Sequence, residues 1–167
     1  MKQLLKISLF AVLTMSLFTF GTCKKATVVV PYTGTFSIAL TANPAGTKTF
    51  GQSSIDNAVV TFLKDKGIST TNVSSIELTS VVATIPPTST LDFADLTSAV
   101  FNLGGTDVAS ITSPPAGKTA TQKVIKTDLL AILLAAKTSY SLTVTTNKAT
   151  PAETVTVKYS INIGYTL

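Results

Sequence analysis

The chain has 167 residues, with 13 lysines and no arginine against 8 acidic residues, and a formal net charge of +5. It has one cysteine, no histidine and no tryptophan, which excludes Ser-His-Asp and Cys-His catalysis and metal sites built on histidine. Because the lysines are scattered and arginine is absent, the composition also argues against nucleic acid as a partner.

The N-terminus has the layout of a secretory signal. Lys2 and Lys6 precede an almost wholly apolar run over residues 7–20. This run is shorter than the roughly 20 residues that a membrane-spanning helix needs, and Gly21 and Thr22 interrupt it. The pattern therefore predicts export of the protein.

The sequence FGTC at residues 20–23 resembles the lipobox of bacterial lipoproteins, in which small residues precede an acylated cysteine. The resemblance implies a signal at residues 1–22 and an acylated Cys23. The residues up to 31 are expected to form a tether, and the length of the remaining chain, without repeats or a second linker, predicts one domain over residues 32–167. The resemblance also implies a lipid anchor in the bacterial cell envelope, at the outer membrane or the periplasmic face. The alternative is an ordinary signal cleaved after Gly21, which leaves Cys23 as a free thiol.

The first part of the mature chain indicates a strand, a turn and a helix. Residues 35–42 alternate apolar and polar side chains, and NPAG at residues 43–46 is typical of a turn. Residues 53–67 have helical spacing, with Ser54 as the expected N-cap, Asp56 in the first turn and Gly67 after the last turn.

The middle of the chain predicts further strands and a second helix. The expected strands cover residues 73–85, 97–105, 107–112 and 119–126, with one helical turn at residues 91–96 and a connector at residues 113–117. A second, nearly all-apolar helix is expected over residues 127–137, with Thr127 as its N-cap.

The C-terminal part predicts a hairpin of residues 140–146 and 153–167. The inward side chains of its last strand are expected to be Val155, Val157, Tyr159, Ile161, Ile163 and Tyr165. Seven to eight strands without a βαβ series predict a mainly β fold, a two-sheet antiparallel β-sandwich with two short helices. The layout resembles the immunoglobulin-like β-sandwich domains of many exported bacterial lipoproteins, and that resemblance implies no activity.

The carboxylates offer two hypotheses. Asp92 and Asp95, with Asp107, are oxygen ligands suited to Ca²⁺, although the sequence contains no EF-hand spacing. The alternative is that Asp92 and Asp95 cap a short helix. A glycosidase pair drawn from Glu77, Glu153 and these aspartates has no support in the spacing.

Two other sets of residues are candidates for chemistry. Ser113 and Lys118 form a nearby Ser-Lys pairing, for which a Pro-Pro turn with a solvated lysine is the ordinary interpretation. Tyr140, Tyr159 and Tyr165 are candidates for a carbohydrate-binding or peptide-binding face, and packing in the core or on the sheet is the alternative.

The sequence thus predicts a lipid-anchored, non-enzymatic binding or structural module of the bacterial envelope. Lipidation of Cys23 is the one site assigned; no catalytic residue, cofactor or metal ligand is expected. The expected partners are the membrane, through the acyl chains, and an envelope protein or glycan. The alternative is an envelope hydrolase that depends on carboxylates, of the glycosidase type.

Overall fold

The computed structural model describes residues 26–167, which form a mainly β fold with eight antiparallel strands and two short helices. The strands are β1 (Thr27–Leu40), β2 (Gly46–Asp56), β3 (Val73–Thr84), β4 (Leu96–Leu103), β5 (Thr106–Thr112), β6 (Thr119–Val124), β7 (Lys137–Thr146) and β8 (Glu153–Thr166). The helices are α1 (Ala58–Asp65) and α2 (Leu130–Leu133), and two 3₁₀ turns cover Thr70–Asn72 and Phe93–Asp95. The predicted signal and Cys23 lie outside the described residues.

The eight strands form one sheet in the order β1-β8-β3-β6-β5-β4-β7-β2. We call β1, β8, β3 and β6 the first half, and β5, β4, β7 and β2 the second half. The halves join where β5 meets β6, through the pairs Ala109 with Val124 and Ser110 with Lys123. The predicted antiparallel, mainly β class is confirmed, and the strands form a single curled sheet.

The curl of the sheet brings its two ends together around the core. Phe36 on β1 stacks on Tyr140 of β7 and on Tyr159 of β8, with ring centroids 4.2 Å and 5.1 Å away. Buried apolar side chains from both halves form one cluster, which includes Phe101 and Ile161. The packing between the halves therefore depends on residues that are far apart in sequence.

The inward residues of β8 agree with the predicted alternation. Val155, Val157, Tyr159, Ile161 and Ile163 are buried, and the alternate positions from Thr154 to Asn162 are more exposed. Tyr165, near the end of the strand, is half-buried.

The predicted C-terminal hairpin is wrong. β7 pairs with β4 and β2 in the second half, whereas β8 pairs with β1 and β3 in the first half. The connection between them therefore crosses from one half to the other, and Thr150 within it bridges to Asn43. The alternation of apolar and polar residues shows which face of a strand is buried, but it does not determine which strands pair with each other.

The start of the domain also differs from the prediction. β1 begins at Thr27, so residues 27–31, which were expected to be tether, belong to a strand paired with β8. Pro31 lies opposite Asn162 within this pairing. A proline is tolerated there because β1 is an edge strand with one unpaired side.

The predicted starts of both helices are wrong. Residues 46–56 form β2, and α1 begins only after Asn57, whose side-chain oxygen accepts a hydrogen bond from the Val59 amide. The second predicted helix is reduced to the single turn of α2, and Lys137 already belongs to β7. Within residues 26–167, no helix combines the length and apolar character needed to cross a lipid bilayer.

Candidate functional site

Asp92 and Asp95 form a capping box around the 3₁₀ turn at Phe93–Asp95. The Ala94 amide donates to Asp92 Oδ1 at 2.9 Å, and the Asp92 amide donates to Asp95 Oδ2 at 3.1 Å. Asp92 Oδ1 also accepts from the Gly117 amide at 2.8 Å, which fixes the connector before β6. The capping alternative from the sequence is thus confirmed.

Two lysines pair with these aspartates. Lys148 Nζ lies 2.6 Å from Asp95 Oδ1, and Lys118 Nζ lies 3.8 Å from Asp92 Oδ2. Lys118 also donates to the Leu91 carbonyl. The aspartates therefore have cationic and backbone partners that favour their ionised form.

The pKa values of three carboxyl groups in this region are lowered. Hydrogen bonds from the Gly117 and Ala94 amides lower the pKa of Asp92, and the hydrogen bond from Lys148 lowers that of Asp95. The Ser89 hydroxyl and then the Thr154 amide lower the pKa of Glu153. A glycosidase needs one carboxyl group with a raised pKa as its acid, so these groups give that mechanism no support.

The other predicted carboxylates lie elsewhere. Glu77 on β3 is opposite Asn162 of β8, nine residues along that strand from Glu153, a separation of about 30 Å. Asp107 accepts a hydrogen bond from Asn102 Nδ2 at 3.1 Å. In residues 26–167, no group of three or more His, Cys, Asp or Glu side chains is placed to hold a metal ion.

The Ser113 and Lys118 pairing does not form a nucleophile site. Ser113 has a positive φ of 49°, and its amide donates to the Thr97 carbonyl. Lys118 instead contacts Leu91 and Asp92. Lys118 is therefore held by these contacts and is not the solvated lysine of the ordinary interpretation.

Two of the three candidate tyrosines belong to the core. Tyr140 and Tyr159 are buried, and the Tyr140 hydroxyl donates to the Ser37 carbonyl at 3.2 Å. Burial raises the pKa of both tyrosines. The packing alternative is therefore confirmed for these two, and only the half-buried Tyr165 borders solvent.

The outward side of the second half carries a surface that the sequence did not identify. Its strand registers place Thr47, Thr145, Ser98 and Thr112 in one row across the sheet, and Thr49, Thr143, Val100 and Ser110 in the next. A third row contains Gly51, Ser141 and Asn102, and the exposed Asp107 of β5 borders it opposite Asn102. We call these eleven residues the hydroxyl face.

The hydroxyl face is uncharged and ordered by its own hydrogen bonds. The hydroxyls of Thr47 and Thr145 lie 2.9 Å apart, and those of Thr49 and Thr143 lie 2.8 Å apart. A side chain at Gly51 would lie 2.2 Å from the Tyr140 carbonyl, so glycine allows β2 to approach β7 closely. By contrast, the outward side of the first half carries Lys158, Lys123 and Glu77.

A cleft of about 510 Å³ lies at one end of the hydroxyl face. The cleft is lined by Ser53, Ser139 and Gly104, which lie next to the third row in the direction of α2. Ile132 and its neighbours in and after α2 complete the lining. Gly104 has a φ of +56°, and a Cβ there would lie 2.9 Å from Ile132 Cγ2. Glycine at this turn therefore lets α2 form the wall of the cleft.

A bulge in β2 forms the rim of this cleft. The register between β2 and β7 shifts between Gln52 and Ile55, and Ser54 has a positive φ of 56°. Lys137 Nζ donates to the Ser54 carbonyl at 3.4 Å and pairs with Asp56 Oδ1 at 3.5 Å. The charge of Lys137 is thus matched by a nearby carboxylate.

Comparisons with known proteins assign no family: no family model and no curated protein matches the chain. Similar solved structures include Desmodium yellow mottle tymovirus, at 13% identity over 87% of this chain and 92% of that one, with a TM-score of 0.35. Turnip yellow mosaic virus gives 13% identity over 86% and 95%, with a TM-score of 0.35. A β-glucuronidase of Bifidobacterium dentium gives 9% identity over 84% of this chain and 31% of that one, with a TM-score of 0.33. Likenesses this distant assign neither a family nor a function.

Proposed function

We propose that this protein is a lipid-anchored, non-enzymatic binding or structural module of the bacterial cell envelope. The observation that carries the proposal is the lipobox-like sequence ending at Cys23, which is three residues before Ala26. The Ala26 carbonyl accepts a hydrogen bond from the Leu167 amide at 3.3 Å, and β1 begins at the next residue.

This short spacing supports a domain held close to the membrane. Thr27 is four residues after Cys23, and four extended residues span at most about 14 Å, so acyl chains on Cys23 would keep the start of β1 within that distance of the bilayer surface. Two or three acyl chains give stable attachment, whereas a single chain binds only marginally. The module would then present its sheet surfaces to the envelope.

A binding or structural role fits the surfaces better than hydrolysis does. The hydroxyl face is broad and its eleven residues are uncharged, whereas Asp92 and Asp95 of the hydrolase alternative form a capping box, pair with lysines and have lowered pKa values. We also propose that the two halves act as the layers of an immunoglobulin-like β-sandwich. The contact of Phe36 on β1 with Tyr140 on β7, which joins the two halves, supports this arrangement.

The anchor is tested by expressing the full chain in a bacterial host with radiolabelled fatty acid. We expect the parent chain to carry label and to sediment with membranes, and Cys23→Ala to lose both properties. Thr22→Ala is the matched control, because it retains the cysteine and places a residue usual in lipoproteins before it. A parent chain without label would show that Cys23 is not acylated.

A further inference from the structure

We propose that the cleft beside α2 and the hydroxyl face together bind a neutral, hydroxyl-rich polysaccharide. One end of the chain would occupy the cleft, and the following sugars would lie along the strands. This inference rests on the proposed function, because it names the class of partner that the module binds.

The distribution of charge selects a neutral partner. None of the eleven residues of the hydroxyl face is charged, and Asp107 at its corner is hydrogen-bonded to Asn102. In the cleft, the ammonium of Lys137 is paired with Asp56. The exposed Asp107 and Lys123, which lie opposite Asn102 and Ser110, border the face with one charge of each sign, so together they give a polyanion or a polycation no net opposite charge to bind.

The chemistry of the face matches a ligand rich in hydroxyl groups. Each serine or threonine hydroxyl both donates and accepts hydrogen bonds, as a sugar hydroxyl does. The pairs between Thr47 and Thr145 and between Thr49 and Thr143 hold these side chains in place before a ligand binds. Such preorganisation lowers the entropy lost on binding.

The cleft provides a site for a single sugar-sized group. Its volume of about 510 Å³ lies within the range of about 300 to 1,000 Å³ typical of small-molecule sites. Its lining combines Ser53 and Ser139, which carry hydroxyls, with the apolar Ile132 and Ala135. This arrangement suits a sugar ring, which has polar edges and an apolar face.

The regular spacing of the face favours a polymer. Its rows repeat at about 6.8 Å along the strands, and its columns at about 4.8 Å across them. Hydrogen bonds between neutral groups are weak individually, so many repeated contacts are needed for useful affinity. We therefore expect binding to long chains and little binding to monosaccharides.

The test uses the full, membrane-extracted chain, with cellulose and chitin particles as probes in a sedimentation assay. Thr143→Val removes a hydroxyl from the face but preserves the β-branched shape, and Ala135→Trp fills the cleft. The matched controls lie on the outward side of the first half: Thr33→Val, at a hydroxyl 3.3 Å from that of Ser160, and the exposed Ala39→Trp.

We expect at least one polymer to bind, with affinity reduced about tenfold by each site variant and less than about twofold by each control. High salt should change this binding little, because the contacting groups are hydroxyls and the two bordering charges, Asp107 and Lys123, have opposite signs. Circular dichroism should show that each variant is folded. If Ala135→Trp does not fold, Ser139→Ala provides a milder test of the cleft.

Several results would overturn the inference. These are the absence of binding to both polymers, equal losses in site and control variants, or binding only to an anionic polymer in a salt-sensitive manner. Self-association that Thr143→Val abolishes would assign the face to a second copy of the chain instead. Fatty-acid labelling of the same preparation separates the two proposals: labelled protein without polymer binding contradicts this inference and leaves the anchor intact.

Discussion

The ring of Phe36 on β1 lies 4.2 Å from that of Tyr140 on β7, and the two planes are inclined by 26°. These strands are at the start and near the opposite end of the sheet order, so this stack closes the curl. The Tyr140 hydroxyl strengthens the closure through its hydrogen bond to the Ser37 carbonyl.

Replacing Phe36 with Ala should destabilise the fold by about 2 to 4 kcal/mol, because Phe36 is half-buried and also stacks on Tyr159. Tyr140→Phe, which removes only the hydroxyl, should cost about 1 kcal/mol. Chemical denaturation measures both changes. A smaller loss for Phe36→Ala than for Tyr140→Phe would show that the ring stack does not hold the two halves together.

The second prediction tests the inward face of β8. Ile161 is 1% exposed, so Ile161→Ala should cost about 2 to 5 kcal/mol through lost burial and a new cavity. Its neighbour Ser160 points outward, and Ser160→Ala should change the free energy of unfolding by less than about 0.5 kcal/mol. Comparable losses at the two positions would contradict the assigned faces.

The burial pattern of single strands could be predicted from the sequence, since apolar side chains alternate with polar ones, many of them Thr and Ser. The order of the strands could not. β7 and β8 both alternate strongly and are joined by a short connection, yet they lie in different halves. Their partners are fixed by contacts between distant residues, such as Phe36 with Tyr140, which no local pattern contains.

The candidate site was harder to predict than the fold. The capping role of Asp92 and Asp95 was available from their spacing, because a capping box depends on local hydrogen bonds. The hydroxyl face depends on register: Thr49 and Thr143 are neighbours only because β2 pairs with β7. β2 itself was missed because its glycines and serines weaken the strand pattern, and only Phe50 within it is buried.

The third prediction concerns the start of α1. Asn57 is buried and caps the helix through its hydrogen bond from the Val59 amide at 3.1 Å. Asn57→Ala should therefore cost about 1 to 2 kcal/mol in thermal or chemical unfolding. Ser54→Ala, at the position expected from the sequence to be the cap, should change stability by less than about 0.5 kcal/mol. A larger loss of stability in Ser54→Ala than in Asn57→Ala would show that Ser54 is the N-cap.

The fourth prediction concerns acid stability. Because the folded-state pKa of Asp95 is lowered, the unfolded chain binds more protons as the pH falls. The stabilisation is present above the unfolded pKa of about 3.9 and is lost as the pH falls through the folded value. Free energies of unfolding should therefore decrease between about pH 5 and pH 2.

Lys148→Ala should make that decrease smaller, because the hydrogen bond from Lys148 is the largest cause of the lowered pKa of Asp95. Lys123→Ala, at an exposed position on β6, is the control and should leave the pH dependence unchanged. Urea denaturation at a series of pH values gives the comparison. An identical pH dependence in Lys148→Ala and the parent chain would show that this ion pair does not contribute.

The last prediction concerns Gln122 on β6, next to the seam between the two halves. Its side chain is 3% exposed, and neither its Nε2 nor its Oε1 has a hydrogen-bond partner among residues 26–167. A buried amide without partners loses its hydration and gains nothing in return. Gln122→Leu should therefore stabilise the fold by about 1 to 3 kcal/mol, measured by chemical denaturation.

Thr121→Val is the control for β-propensity, because Thr121 points outward from the same strand, and it should have a much smaller effect. Destabilisation by Gln122→Leu would show that the amide is satisfied in solution, for example by a buried water molecule, and that its polarity supports the seam.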